Sequence, residues 1–164
     1  MSEIPPPILC RAGVQSDLSA IMGVMERAFD PMYGEAWTRS QVEGMLDMPG
    51  SWMTVAVAGE RIVAFSLMRS ILDEAELLLL AVDPEWQRKK VGRTLLLDTI
   101  SAAKLRNIGL VHLEVRATNK AIDLYRSAGS VHSNTRRAYY RGRDGQLFDA
   151  HSFTMNLADQ NKKA

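Results

Sequence analysis

Apolar residues in the first part of the chain follow the spacing of helices. A short opening strand is expected from Ile8. From Asp17 the apolar residues recur every three or four positions, which predicts a helix whose buried face holds Leu18, Ile21, Met22, Met25 and Phe29. Ser16 or Asp17 is placed to cap this helix. A second, shorter helix is expected from Thr38 and is stopped by the turn at residues 48–50.

Between residues 51 and 82 the spacing changes to that of strands. Two strands joined at residues 59–60 predict a hairpin, and the segment AELLLLAVD predicts a third strand that Pro84 ends. The unbroken apolar run of this third strand favours burial on both of its faces. A long helix is then expected over residues 91–107, with Gly109 as its C-terminal signal.

The last third of the chain predicts one short helix among three strands. A strand is expected over LVHLEVR, a helix carries Tyr125 and ends at Gly129, and two late strands cover 131–140 and 148–157. This order of elements is typical of a mixed α/β sheet covered by helices. With 164 residues, 46% of them hydrophobic and 24% charged, a single domain over 8–157 is expected, with flexible termini at 1–7 and 158–164.

Composition and charge exclude several classes of protein. A formal net charge of +1 gives no global basic field, so nucleic acid is not predicted as a partner. A single cysteine and three histidines without zinc-ligand spacing predict no disulfide, no metal site and a reducing, cytoplasmic setting. The N-terminal residues lack a signal-peptide pattern, and the longest apolar run, 77–82, is far shorter than the ~20 residues that span a bilayer. No membrane partner is therefore expected.

A cluster of cations lies at the predicted start of the long helix. The segment PEWQRKKVGRTLL places Arg88, Lys89, Lys90 and Arg93 around Gly92. A helix N-terminus offers unpaired N–H groups and the positive end of the helix dipole, so this turn is a candidate phosphate site. The alternative is a solvated basic turn that only caps the helix.

This segment resembles the acetyl-CoA motif of the GNAT superfamily of N-acetyltransferases. The motif reads Gln/Arg-x-x-Gly-x-Gly/Ala at the start of a helix; Gln87 matches its first position and Gly92 its last, whereas Lys90 stands where the first glycine is usual. A non-glycine residue there costs about 1–2 kcal/mol if the turn needs a left-handed backbone. The segments HLEVRATN, LYRSAG and RRAYYRGRDGQLFDA resemble the bacterial subfamily that acetylates the N-terminal alanine of ribosomal protein bS18, over about residues 12–157.

The resemblance implies a fold and an acetyl-CoA site. The fold would be a mixed, mostly antiparallel central sheet with helices on both faces. The pantetheine arm of acetyl-CoA would lie as an added strand along the backbone of the predicted strand AELLLLAVD. The residues implied in cofactor binding are Leu80, Ala81, Val82, Arg88, Lys89, Lys90, Val91, Gly92, Arg93 and Asn119.

Acetyl transfer to an amine requires a proton acceptor and a proton donor, and the resemblance assigns these roles to two further residues. An N-terminal α-ammonium has a pKa of about 8 and must lose a proton before it can attack. By resemblance, Glu114 is the general base, and Tyr125 protonates the departing thiolate. The alternatives are that Glu114 pairs with Arg116 on an exposed strand face and that Tyr125 packs against the sheet. The interval from Asn119 to Tyr125 is one residue shorter than in the subfamily, and we expect the loop before the helix to absorb the difference.

Substrate recognition is implied for two segments. Glu35 and Trp37 would border one side of a peptide groove, with Glu35 favouring a basic peptide, and Tyr139 and Tyr140 would border the other side. The expected partner is the N-terminal peptide of a ribosomal protein, and a monomer is expected. Two alternatives stay open: an acetyltransferase for a small amine, such as a polyamine or an amino-sugar drug, and a non-catalytic module that binds acyl-CoA.

Overall fold

The strands and helices follow the predicted order in a computed structural model that describes residues 4–160, and one short helix that was not predicted follows the last strand. The strands are β1 Ile8–Ala12, β2 Ser51–Ala58, β3 Arg61–Ile71, β4 Glu74–Val82, β5 Leu110–Arg116, β6 Val131–Arg141 and β7 Leu147–Asn156. The helices are α1 Leu18–Ala28, α2 Arg39–Leu46, α3 Val91–Leu105, α4 Ile122–Ser127 and α5 Leu157–Gln160. No helix within the described range combines the length and hydrophobicity needed to cross a bilayer.

The seven strands form one sheet in the order β1-β2-β3-β4-β5-β7-β6. All neighbours are antiparallel except β4 and β5, which are parallel. Helices α1 and α2 pack on one face against Val55, Phe65 and Leu67. Helices α3 and α4 pack on the other face, where Ser66 and Thr99 share a buried hydrogen bond of 2.7 Å. The mixed, mostly antiparallel sheet with helices on both faces is therefore confirmed.

The described residues allow only a partial comparison with the predicted limits of the domain. Residues 1–3 and 161–164, which belong to the predicted flexible termini, lie outside the described residues. Helix α5 runs to Gln160, three residues past the predicted end of the domain at Leu157. The flexibility of both ends stays a prediction.

Two predicted helix signals act differently in the structure. The Asp17 side chain does not cap α1; its carboxylate accepts hydrogen bonds from Arg11 at 2.7 and 2.9 Å and from the Val14 N–H at 2.8 Å. These bonds, led by that from Arg11, hold the pKa of Asp17 below its usual range. Gly109 does not end α3, because Asn107 adopts the left-handed backbone (φ 61°) two residues earlier. Asparagine tolerates this conformation better than most residues.

Strand β4 has buried residues on both faces of the sheet, as its apolar run predicted, because Leu77 packs on the side of α3 and Leu79 and Ala81 pack on the side of α1. Its buried residues Ala75, Leu77, Leu79 and Ala81 alternate with more exposed ones. Leu78, Leu80 and Val82 are only partly covered because they border an opening beside the strand. Burial on both faces is therefore confirmed, and it is incomplete at the three residues that border the opening.

Candidate active site

The opening lies between β4 and β5, which pair only over Glu74–Glu76 and Leu110–His112. Beyond these residues the two strands diverge. The Asp83 N–H donates to the Val63 carbonyl of β3 at 2.8 Å. Because backbone groups alternate sides along a strand, those of Leu80 and Val82 point toward the opening, and those of Ala81 point toward β3.

Two adjoining clefts fill this opening. The larger cleft, of about 680 Å³, lies between β4, the start of α3 and the loop that follows β5. The smaller cleft, of about 340 Å³, lies between β4, β5 and the segment before α2. Glu35, Leu80 and Asn119 line both clefts. A molecule that fills the larger cleft can therefore reach into the smaller one.

The structure brings most of the predicted cofactor residues to the larger cleft. Those that line it are Leu80, Ala81, Val82, Arg88, Lys90, Gly92, Arg93 and Asn119. Lys89 instead lies over the Trp86 ring, with its Nζ 5.2 Å from the ring centroid. Val91, the first residue of α3, is buried in the core. Lys89 and Val91 thus lie away from the cleft surface.

The turn before α3 has a left-handed backbone at two non-glycine residues. Arg88 has φ 60° and Lys90, the residue that precedes α3, has φ 64°. Each L-residue in this conformation costs about 1–2 kcal/mol. The strained turn exposes the first N–H groups of a 15-residue helix beside three cations that line the cleft. This arrangement fits an anionic group such as a pyrophosphate.

Gly92 has a packing role. A Cβ atom at Gly92 would lie 3.3 Å from Leu124 Cδ2 and 3.5 Å from Val82 Cγ2. Its absence lets α3 approach α4 and the end of β4 closely. The glycine of the motif therefore sets the distance between the elements that form the larger cleft.

Glu114 lies on β5 at the smaller cleft. Its side chain is 23% exposed, forms an ion pair with Arg136 of β6 at 3.3 Å, and accepts a hydrogen bond from Ser152 Oγ of β7 at 3.3 Å. The alternative pairing with Arg116 is not seen, because Arg116 binds Glu35 instead. Glu114 is thus held by two neighbouring strands and still reaches the cleft.

Two tyrosines share this cleft with Glu114. Tyr125 of α4 is 4% exposed, and burial, with a smaller effect from Glu35, raises its pKa above the usual range. Tyr140 of β6 is half-buried, and burial followed by the charges of Glu114 and Glu35 raises its pKa to about 12. Both phenols are therefore protonated at neutral pH and can donate a proton or a hydrogen bond.

The loop before α4 is tightly closed. The Asn119 side-chain oxygen accepts a hydrogen bond from the Ala121 N–H at 2.8 Å, and the Asn119 N–H donates to the Arg116 carbonyl at 2.9 Å. This compact turn carries the chain directly from β5 into α4. The helix that follows places Tyr125 on the smaller cleft. The absorption of the missing residue by this loop stays a prediction.

The predicted substrate residues are only partly brought together. Glu35, Trp37 and Tyr140 line the smaller cleft, whereas Tyr139 is exposed and its ring lies 4.9 Å from the Arg136 guanidinium. Glu35 is already paired with Arg116 at 3.3 Å, so much of its charge is neutralised within the protein. Within residues 4–160, no three histidine, cysteine or carboxylate side chains gather as a metal site would require.

The model of the Acetyltransferase (GNAT) domain family matches residues 23–142. The chain belongs to the GNAT acetyltransferase family. A "[Ribosomal protein bS18]-alanine N-acetyltransferase" of Escherichia coli K12 is 42% identical over 87 residues, which cover 52% of this chain and 59% of that protein. The chain thus matches somewhat more than half the length of this curated relative. The "N-alpha-acetyltransferase RimI" of Mycobacterium tuberculosis is 33% identical over 112 residues, or 65% of this chain and 69% of that one.

A solved structure extends the likeness to almost the whole GNAT domain. The ribosomal-protein-S18-alanine N-acetyltransferase from Escherichia coli superposes with a TM-score of 0.83 at 30% identity. The superposition covers 92% of this chain and 94% of that one. The Ard1 structure from Thermoplasma volcanium, with a TM-score of 0.77 at 24% identity, supports the fold alone.

Sequence reasoning missed the residues that surround Glu114 and Glu35. Arg116 stacks on the Tyr33 ring at 3.5 Å and donates to Thr118 Oγ1 as well as to Glu35. The positions of Glu114 and Arg116, two apart in one strand, did indicate that both share a face. Their partners lie on distant segments, so no local pattern pointed to them.

The strain at Lys90 can be measured directly. We expect Lys90→Gly to be more stable than Lys90→Ala by about 1 kcal/mol, because both lose the charge and only glycine relieves the left-handed backbone. Urea unfolding of both variants tests this. At Lys89, whose φ is not left-handed, the glycine variant should show no such advantage. Equal stability of the two Lys90 variants would contradict a strained turn.

Proposed function

We propose that this GNAT protein transfers the acetyl group of acetyl-CoA to the α-amine at the N-terminus of a protein, with the N-terminal alanine of ribosomal protein bS18 as its substrate. The observation that carries the proposal is the convergence of Glu114, Tyr125 and Tyr140 on one cleft that adjoins a basic helix N-terminus. The names of the relatives from Escherichia coli support this substrate.

The larger cleft has the features that acetyl-CoA requires. Its β4 wall offers the backbone groups of Leu80 and the N–H of Val82 to an amide-containing arm, as a neighbouring strand would, whereas the Val82 carbonyl already accepts a hydrogen bond from Gln87 Nε2 at 3.2 Å. Its other end offers the first N–H groups of α3 together with Arg88, Lys90 and Arg93 to a pyrophosphate. When bound, acetyl-CoA supplies a thioester whose acetyl group passes to the amine while the CoA thiolate leaves.

Glu114 is the proposed general base. An α-ammonium with a pKa of about 8 is mostly protonated at neutral pH, so the protein must accept its proton before attack. The Glu114 carboxylate reaches the smaller cleft and can take this proton directly or through a water molecule. Its partner Arg136 is 54% exposed and can swing toward solvent as the amine enters.

Tyr125 is the proposed general acid. Its raised pKa keeps the phenol protonated, and its position in α4 puts it on the smaller cleft together with Asn119, which lines both clefts. A protonated phenol beside the leaving sulfur can give its proton to the thiolate. Tyr140 is proposed to contact the peptide, together with Trp37, from the opposite side of the smaller cleft.

Release of free CoA thiol with three candidate acceptors tests the proposal. A peptide with an N-terminal alanine should cause thiol release. Neither the same peptide with a blocked N-terminus nor a polyamine should do so. Turnover with the polyamine alone would favour a small-amine acetyltransferase. Binding of acetyl-CoA by calorimetry without turnover of any amine would favour a non-catalytic acyl-CoA-binding module.

Loss of the Glu114 carboxylate should stop the reaction without affecting the cofactor. We expect Glu114→Gln to lower turnover by about 100- to 10,000-fold, because glutamine cannot accept the amine proton. The affinity for acetyl-CoA, measured by calorimetry, should stay near that of the parent. Glu76→Gln, an exposed residue at the paired end of β4, serves as the matched control and should leave both values unchanged. Parent-like turnover of Glu114→Gln would remove Glu114 from the mechanism.

Tyr125 should affect the rate at every accessible pH. Because burial raises its pKa above the usual value of about 10, the phenol stays protonated between about pH 6 and 9. Tyr125→Phe is therefore expected to lower the rate by a similar factor across this range, with little change in peptide affinity. Tyr139→Phe, which removes an exposed phenol that lines neither cleft, is the control. A Tyr125→Phe variant with the parent rate would make Tyr125 a packing residue and leave Tyr140 as the candidate acid.

A further inference from the structure

Strand β6 carries a large bulge beside the smaller cleft. Arg136 pairs with Ala150 of β7, and Tyr140 pairs with Phe148, so three residues of β6 (137–139) lie opposite Asp149 alone. A regular antiparallel ladder has one residue opposite one. The bulge therefore inserts two extra residues into the edge strand of the sheet.

The bulge determines where Tyr140 lies. Without the two extra residues, Ala138 would be opposite Phe148, and Tyr140 would be opposite Gln146, farther along the hairpin. The insertion moves Tyr140 back by two positions, or about 7 Å, toward Glu114. Because the insertion is even, Tyr140 stays on the sheet face that holds Arg136 and Glu114. The result is the observed position of Tyr140 on the wall of the smaller cleft.

A single carboxylate holds the bulge in place. Asp149 Oδ1 accepts a hydrogen bond from the Ala138 N–H at 2.8 Å. Ala138 has the left-handed backbone (φ 52°), a conformation that alanine rarely adopts without a compensating contact. The Asp149 main-chain carbonyl accepts a second hydrogen bond, from the Ala117 N–H just after β5, at 2.8 Å. Asp149 thus connects the bulge to the strand that carries Glu114.

We propose that Asp149 is a positioning residue that holds the β6 bulge and thereby presents Tyr140 to the N-terminal residues of the peptide substrate. The assignment rests on the proposed function for the identity of the substrate. It adds a specificity determinant that does not touch the cofactor, the reacting amine or Glu114. Its loss should impair peptide binding more than the chemical step.

Kinetics of three variants test this role. Asp149→Ala should raise the KM for an N-terminal alanine peptide by about tenfold or more, with kcat and the KM for acetyl-CoA within about twofold of the parent. Asp149→Asn retains an acceptor oxygen and should restore the peptide KM. Asp144→Ala is the matched control, because Asp144 accepts the Gln146 N–H at 2.9 Å in the same hairpin, away from the cleft. An unchanged peptide KM in Asp149→Ala, or a tenfold rise in the Asp144 control as well, would overturn the proposal.

A spectroscopic measurement separates this proposal from the proposed function. The chain has four tyrosines, so ¹³C-labelling of the tyrosine ring carbon that bears the hydroxyl gives few NMR signals, and Tyr140→Phe identifies that of Tyr140. The Tyr140 signal should shift in Asp149→Ala and return in Asp149→Asn, with the Tyr125 signal unchanged. If the parent acetylates no peptide, the proposed function fails, while this experiment still tests the bulge. An unchanged Tyr140 signal in Asp149→Ala would contradict the positioning role.

Discussion

The divergence of β4 from β5 is the constraint on which the site depends. The two strands are held together at one end, where His112 Nε2 lies 3.0 Å from the Glu74 carboxylate and the Gly109 N–H donates to the Asp73 carbonyl. At the other end, buried Asp83 fixes the end of β4 through ion pairs with Arg27 and Arg61. Burial alone would raise the pKa of Asp83, but the hydrogen bonds led by that from Arg27 hold it below its usual range. Both ends of the opening are thus fixed, and the strand edge between them is left for a ligand.

The two ion pairs at the clefts differ in their exposure and in the free energy needed to break them. Arg136 and Glu114 form a partly exposed pair, of the kind that contributes about 0–1 kcal/mol, so an incoming amine can replace Arg136 at little cost. Arg116 and Glu35 are 9% and 17% exposed, and removal of one partner from such a buried pair costs about 3–5 kcal/mol. Glu35 therefore fixes the segment before α2 to β5, and the negative charge it offers to a basic peptide is reduced.

The sequence predicted those features that depend on local spacing. Thr38 caps α2 and exchanges hydrogen bonds with Gln41, and the helix begins where the pattern placed it. The turn at Lys90 is left-handed, which is the condition under which a lysine at the usual glycine position costs free energy. The pairing of Arg116 with Glu35 and the bulge held by Asp149 could not be predicted, because each joins segments whose separation in the chain carries no periodic signal. The apolar pattern did not reveal that β5 diverges from β4, which leaves Leu78, Leu80 and Val82 only partly covered.

Backbone hydrogen exchange of β4 tests most directly the claim that acetyl-CoA occupies the opening as an added strand. In the free protein the amides of Leu80 and Val82 face the cleft, whereas that of Ala81 points toward β3. We expect saturating acetyl-CoA to slow exchange at Leu80 or Val82, or at both, and to leave Ala81, already bonded within the sheet, nearly unchanged. If bound acetyl-CoA slowed exchange at neither the Leu80 amide nor the Val82 amide, acetyl-CoA would not occupy the opening as an added strand.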